Sequence, residues 1–117
     1  MAIKDLTRVQ QHLLLCNGSS CAGHGAAAST LALRDAISAA GLHEAVHTTR
    51  TMCNGRCDDG PIVIVQPDGI WYKHVDEATA RRIVAEHVVG GCPVDTHVLY
   101  RWGADTLDTT RPGLGDD

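Results

Sequence analysis

The sequence predicts one α/β domain, built on a four-stranded mixed sheet with flanking helices. Three observations support this prediction: short aliphatic runs typical of buried strands, two segments with helical apolar spacing, and a tight-turn signature between the last two predicted strands. The chain has 117 residues and no phenylalanine, so aliphatic side chains have to form most of its core. That length supports one domain with one modest core.

The first half of the chain predicts a strand, a helix and a second strand. The first strand is the apolar run at 12–15, and the second, at 45–50, is rich in β-branched residues. Between them, the segment 26–40 has aliphatic residues at i, i+4 and i+7 and ends before Gly41, which is a suitable helix stop. A β-α-β unit of this kind has a right-handed crossover, so we expect the two strands to be parallel.

The second half predicts a β-hairpin followed by a helix. The run at 61–65 is the strongest strand signal in the chain, and the turn signature at 67–69 leads into a strand at 70–75. Asp76 then caps a helix that ends before Gly90. The resulting order, β-α-β-β-β-α, is the thioredoxin-like arrangement.

The end of the chain gives weaker signals. Residues 97–102 fit either a short helix or an edge strand, and residues 105–117 are polar and contain Asp, Thr, Pro and Gly. We therefore predict a domain at 1–104 and a flexible tail at 105–117.

Four of the five cysteines form two close pairs, each directly after a predicted strand. Cys16 and Cys21 are separated by four residues, and Cys53 and Cys57 by three. An Asn-Gly dipeptide follows the first cysteine of each pair, and glycine allows close approach of the backbone. A fold that joins these strand ends gathers four thiolates at one edge of the sheet, which predicts a metal or metal-cluster site.

The spacing of these cysteines favours a two-iron cluster over their other uses. Structural zinc modules mostly use C-x2-C pairs, and disulfides are disfavoured in the cytoplasm, but both stay open as alternatives. The plant-type ferredoxin spacing fails because no cysteine follows Cys21 at the required distance. A Rieske centre needs two histidines, and only His24 lies close to a pair. The C-x-x-C motif of disulfide exchange is missing from the sequence.

Charge and hydropathy limit the compartment and the partners. The formal net charge is −4, and the excess of acidic residues lies in the second half, which argues against nucleic acid as a partner. No stretch approaches the roughly 18–20 apolar residues of a membrane span. Residues 1–5 do not resemble a signal peptide, so we expect a cytoplasmic protein with no membrane segment.

Together, these features resemble the thioredoxin-like [2Fe-2S] ferredoxins, which include the Shethna-type ferredoxins and the small [2Fe-2S] subunit of respiratory complex I. The resemblance covers residues 10–94, and it includes both cysteine pairs, the run at 61–65 and the motif Gly91-x-Pro93-Val94. It implies one [2Fe-2S] cluster per chain, near the surface. The matching ligands are Cys16, Cys21, Cys53 and Cys57.

The resemblance also implies a function. It predicts a soluble one-electron carrier with no catalytic residues, with redox proteins as partners, and with a homodimeric assembly. Two other functions are compatible with such a chain. One is a dedicated iron–sulfur subunit or maturation partner of a larger redox or tetrapyrrole-processing enzyme, and the other is a cluster-based sensor.

Two further residues near these motifs need an interpretation. Arg56 lies inside the second cysteine pair and is expected either to offset the negative charge of a cluster or to be a solvated surface charge. Cys92 has no partner cysteine, and we expect it to be a small, partly buried side chain at the helix exit that is not a ligand.

Overall fold

The computed structural model describes residues 4–112 and confirms the predicted α/β class. Within that range, five strands form one mixed sheet: β1 (Gln11–Cys16), β2 (Val46–Thr51), β3 (Val63–Gln66), β4 (Ile70–Tyr72) and β5 (Val98–Arg101). Their order in the sheet is β2-β1-β3-β4-β5. β1 and β2 are parallel, and every other neighbouring pair is antiparallel. The sheet has one strand more than predicted, because the ambiguous segment near residue 100 is an edge strand.

The helices agree with the predicted ones in position but differ in detail. α2 (Ala26–Ala39) is the predicted crossover helix, while α1 (Ser19–Gly23) is an unpredicted short helix inside the first cysteine loop. α3 (Glu77–Arg82) is capped by the Asp76 side chain and continues as a π-helical segment, Ile83–Val89. In the described part of the chain, none of the helices is long and apolar enough to cross a membrane.

The two faces of the sheet bury different sets of side chains. One face packs against α2 and α3 and forms the main core, in which Leu13, Val65 and Tyr72 are fully buried. The opposite face has a smaller cluster, which includes two of the predicted ligands, Cys16 and Cys21. The alternation of side chains along β1 therefore places Leu13 and Leu15 in the main core and Cys16 on the other face.

A buried chain of hydrogen bonds joins β4 to the π-helical segment that continues α3. The Tyr72 hydroxyl accepts a bond from the Val94 N–H at 3.0 Å and lies 2.8 Å from His87 Nδ1. His87 Nε2 lies 2.6 Å from an Asp68 carboxylate oxygen. The network is satisfied if the hydroxyl donates to Nδ1 and Nε2–H donates to Asp68. Burial also raises the pKa of Tyr72 to about 12, so the hydroxyl stays protonated.

We expect Tyr72→Phe to lower the free energy of unfolding by about 1–3 kcal/mol, because it leaves two buried polar groups without a partner. Urea denaturation measures this difference. Tyr100→Phe is the matched control, since the Tyr100 hydroxyl accepts a bond from the Gly103 N–H at an exposed position. Equal losses in the two variants would contradict a special role for the buried network.

The described part of the predicted tail contacts the sheet. The Asp108 N–H donates to the Leu99 carbonyl at 2.9 Å, next to the outer edge of β5. Residues 113–117 of that predicted tail lie outside the described residues. The domain boundary after residue 104 and the flexibility of the tail stay predictions.

Candidate metal centre

The parallel pairing of β1 and β2 brings the two cysteine loops together. Cys16 is the register partner of Thr51, and the Asn17 N–H donates to the Thr51 carbonyl at 2.8 Å. Further along the loops, the Ser20 hydroxyl donates to the Cys57 carbonyl at 3.4 Å. The two loops therefore meet at the carboxyl ends of β1 and β2, as the cysteine positions predict.

The four predicted ligands lie where the two loops meet, at different depths. Cys16 and Cys21 are buried, whereas Cys53 and Cys57 are exposed. The Cys53 and Cys57 sulfurs are 3.5 Å apart, and the Cys16 thiol donates to the Met52 carbonyl at 3.3 Å. All five cysteines of the chain lie within the described residues, and all are free thiols.

Two glycines allow the loops to approach this closely. A Cβ atom at Gly60 would lie 2.6 Å from the Cys21 sulfur, and one at Gly18 would lie 2.8 Å from the Cys53 nitrogen. Both distances are shorter than van der Waals contact, so any side chain here would displace a cysteine. The sequence alone did not identify Gly60 as a site residue. Its only sequence signal is its position between Asp59 and the predicted buried strand at 61–65.

Hydrogen bonds and burial affect the thiols unequally. Burial raises the pKa of Cys16, but bonds from the Gly18 N–H and from Asn54 outweigh this effect, so the pKa lies below its ordinary value. Burial also raises the pKa of Cys21, to about 11, and the neighbouring Cys16 thiol adds to the increase. Ionisation of Cys21 at neutral pH therefore needs a nearby positive charge, such as that of a coordinated metal ion.

Each loop supplies two of the thiols. Cys53 and Cys57 are in sulfur–sulfur contact, and Cys16 and Cys21 both lie in the smaller apolar cluster. Across residues 4–112, no group of three or more His, Cys, Asp or Glu side chains is placed to bind one ion. A structural zinc ion takes four ligands at one centre, whereas each iron of a [2Fe-2S] cluster takes two protein ligands. Four thiols, two from each loop, supply the donors that such a cluster takes.

Arg56 forms an ion pair with Asp59, beside the second cysteine pair. Its guanidinium forms a double contact with one Asp59 carboxylate oxygen, at 2.9 Å from Nε and 2.5 Å from Nη2. Asp59 is buried, and its backbone carbonyl accepts a bond from the His74 N–H at 2.8 Å. Arg56 therefore neutralises a buried carboxylate beside the second cysteine pair, a role that the sequence analysis did not foresee.

Two other residues considered from the sequence lie outside the set of thiols. Cys92 is exposed rather than partly buried, and its N–H donates to the Glu86 carbonyl at the end of the π-helical segment. His24 is exposed, and its Nδ1 lies 2.8 Å from the Ser20 carbonyl oxygen.

Comparison with known proteins finds relatives that are named 2Fe-2S ferredoxins. A 2Fe-2S ferredoxin of Priestia megaterium is 49% identical over 98 residues, which are 84% of this chain and 76% of the relative. A 2Fe-2S ferredoxin of Aquifex aeolicus is 42% identical over 53 residues, or 45% of this chain and 48% of the relative. The chain matches no protein-family model.

Solved structures give the same result at the level of the fold. The crystal structure of the wild-type thioredoxin-like [2Fe-2S] ferredoxin from Aquifex aeolicus is 30% identical, with a TM-score of 0.72 over 79% of this chain and 98% of that chain. A second structure of a thioredoxin-like [2Fe-2S] ferredoxin from this organism is 28% identical, with a TM-score of 0.74 over 91% and 98%. These findings confirm the predicted resemblance and fold. This chain belongs to the thioredoxin-like [2Fe-2S] ferredoxins, which are electron-transfer proteins and not enzymes.

Proposed function

We propose that this protein carries single electrons on one [2Fe-2S] cluster held by Cys16, Cys21, Cys53 and Cys57. The observation that carries this proposal is the meeting of the two cysteine loops, each of which supplies two free thiols. When bound, such a cluster supplies a centre that accepts and releases one electron.

The proposed ligands lie on two sides of the site, two of them buried and two exposed. Cys16 and Cys21 lie on the protein side, where the neighbouring apolar cluster excludes water. Cys53 and Cys57 lie on the surface side, where a partner protein can approach them. The Gly55 N–H donates to the Cys53 sulfur at 3.3 Å, which stabilises negative charge on that thiolate.

We expect a low reduction potential, because four thiolate ligands disfavour the addition of negative charge. Plant-type ferredoxins lie near about −400 mV, and we expect a similar range here. A redox titration followed by visible absorption and EPR tests the proposed function. Reversible uptake of one electron at low potential supports it, and a midpoint above 0 mV would argue for a different ligand set.

Arg56→Ala should lower this potential, because it leaves the Asp59 charge uncompensated close to Cys57. Arg56 is about one third exposed, so screening limits the effect to roughly 1 kcal/mol or less. That is about 40 mV or less for one electron. The double variant Arg56→Ala/Asp59→Asn restores the net charge and should return the potential toward the wild-type value. A potential that rises in the single variant would contradict this electrostatic explanation.

We also propose redox proteins as partners, a cytoplasmic location and a homodimer. The five free thiols support a reducing compartment. Leu14, Trp71 and Tyr100 are only partly buried on the sheet face opposite the main core, which supports association through that face. Sedimentation equilibrium of the purified protein should give twice the chain mass of 12.5 kDa. The monomer mass at micromolar concentration would reject the dimer.

A further inference from the structure

Lys73 is a buried cation whose partner comes from the end of the chain. Its side chain is 1% exposed, directly after β4. Nζ donates to the Asp108 carbonyl at 2.5 Å and lies 3.2 Å from an Asp108 carboxylate oxygen. A buried ammonium group without acceptors costs several kcal/mol, so Asp108 has to stay in place for Lys73 to stay buried.

The segment around Asp108, residues 104–112, is named here the C-terminal strap. It begins where the Ala104 N–H donates to the Arg101 carbonyl, and Asp108 then bonds to Leu99 on the outer edge of β5. Inside the strap, the Thr110 N–H donates to the Asp108 carboxylate at 3.0 Å. The strap therefore satisfies part of an edge strand that would otherwise expose unpaired backbone groups.

The strap also borders the second cysteine loop. Leu107 lines a cleft of about 240 Å³ together with Asn54 and Arg56 of the cysteine loop. The apolar side chains of Trp71 and Leu99 line the same cleft. A strap that moved away would remove Leu107 from this cleft and expose more of Trp71 and Leu99, near the second cysteine loop.

We propose that the C-terminal strap is a cover held by the Lys73–Asp108 pair, which closes the side of the second cysteine loop. The strap extends the folded domain beyond residue 104, and its opening exposes the cleft beside the loop that carries Cys53 and Cys57. The docking of the strap is independent of the proposed function, because none of its contacts involves a thiol. Only the effect of the strap on cluster retention rests on the proposed function.

Hydrogen exchange of the holoprotein tests the docking. We expect peptides from 105–112 to exchange more slowly than an unfolded chain, and Asp108→Ala to accelerate their exchange by about tenfold or more, since it leaves Lys73 with a single acceptor. Asp105→Ala, which removes the same charge from an exposed position of the strap, should leave exchange unchanged. Exchange at the unfolded-chain rate in the wild type, as in a flexible tail, would overturn the proposal.

The same substitution in a Lys73→Met protein distinguishes the specific pairing of Lys73 with Asp108 from general destabilisation. In Lys73→Met the buried ammonium is gone, so adding Asp108→Ala should accelerate strap exchange far less than it does beside Lys73. The same acceleration in both backgrounds would show that the pair does not hold the strap. Peptides from β1 report on global opening in every variant.

The cover role has its own readout. We expect the cluster of Asp108→Ala to be lost to a strong iron chelator several-fold faster than that of Asp105→Ala, and equal rates would overturn the role as a cover. A protein that binds no cluster would refute the proposed function while the exchange results still decide whether the strap docks.

Discussion

Replacing Cys53 with alanine should abolish the native cluster, whereas replacing Cys92 should leave it intact. Cys53 lies in contact with Cys57 at the meeting point of the two loops, so its loss leaves one iron with a single protein ligand. Cys92 lies after the π-helical segment, outside both loops. The expected result is loss of the native visible and EPR spectra in Cys53→Ala and unchanged spectra in Cys92→Ala.

Iron content measured on the same preparations controls for partial occupancy, and circular dichroism controls for folding. The assignment of the ligands is wrong if the Cys92 variant loses its iron while the Cys53 variant keeps the wild-type spectrum.

Gly60→Ala should remove nearly as much of the cluster as Cys53→Ala does, although it replaces no ligand. The backbone at Gly60 has φ −68° and ψ 161°, which alanine adopts without strain, so the effect is purely steric. The new methyl group would lie 2.6 Å from the Cys21 sulfur, and either the thiol or the loop has to move. Overpacking of this kind costs about 1–3 kcal/mol, and here the displaced atom is a proposed ligand. We expect most of the iron to be lost.

Gly23→Ala is the matched control for this substitution. Gly23 ends α1 in the first cysteine loop, and a Cβ atom there would meet no atom within 4 Å. The control should retain full iron content. A Gly60→Ala protein with full iron content and an unchanged spectrum would show that the cysteines are not packed as described.

The parts of this fold that follow local rules are predictable from the sequence. The buried runs that became β1 and β3 are recognisable because both are continuous aliphatic segments. The gathering of the cysteines also follows from the sequence, because two parallel strands joined by a helix end at the same edge of a sheet. β5 is harder to recognise, since it is four residues long and pairs with β4 across an irregular register.

The features that depend on distant contacts leave little trace in the sequence. The Lys73–Asp108 pair joins residues 35 positions apart, and a lysine after a strand usually predicts a solvated side chain. Arg56 and Asp59 are only three residues apart, yet their pairing depends on the 3₁₀ turn at Cys57–Asp59 and on burial of the carboxylate. The close contact of Gly60 with Cys21 likewise appears only when β3 is placed beside the first loop.

Metal and sulfide analysis of anaerobically purified protein tests the central claim most directly. We expect about two irons and two acid-labile sulfides per chain, with the visible absorption of a [2Fe-2S] cluster, because the paired thiols offer two ligands to each of two irons. Stoichiometric zinc without sulfide would contradict this account and would assign the four cysteines to a structural zinc site.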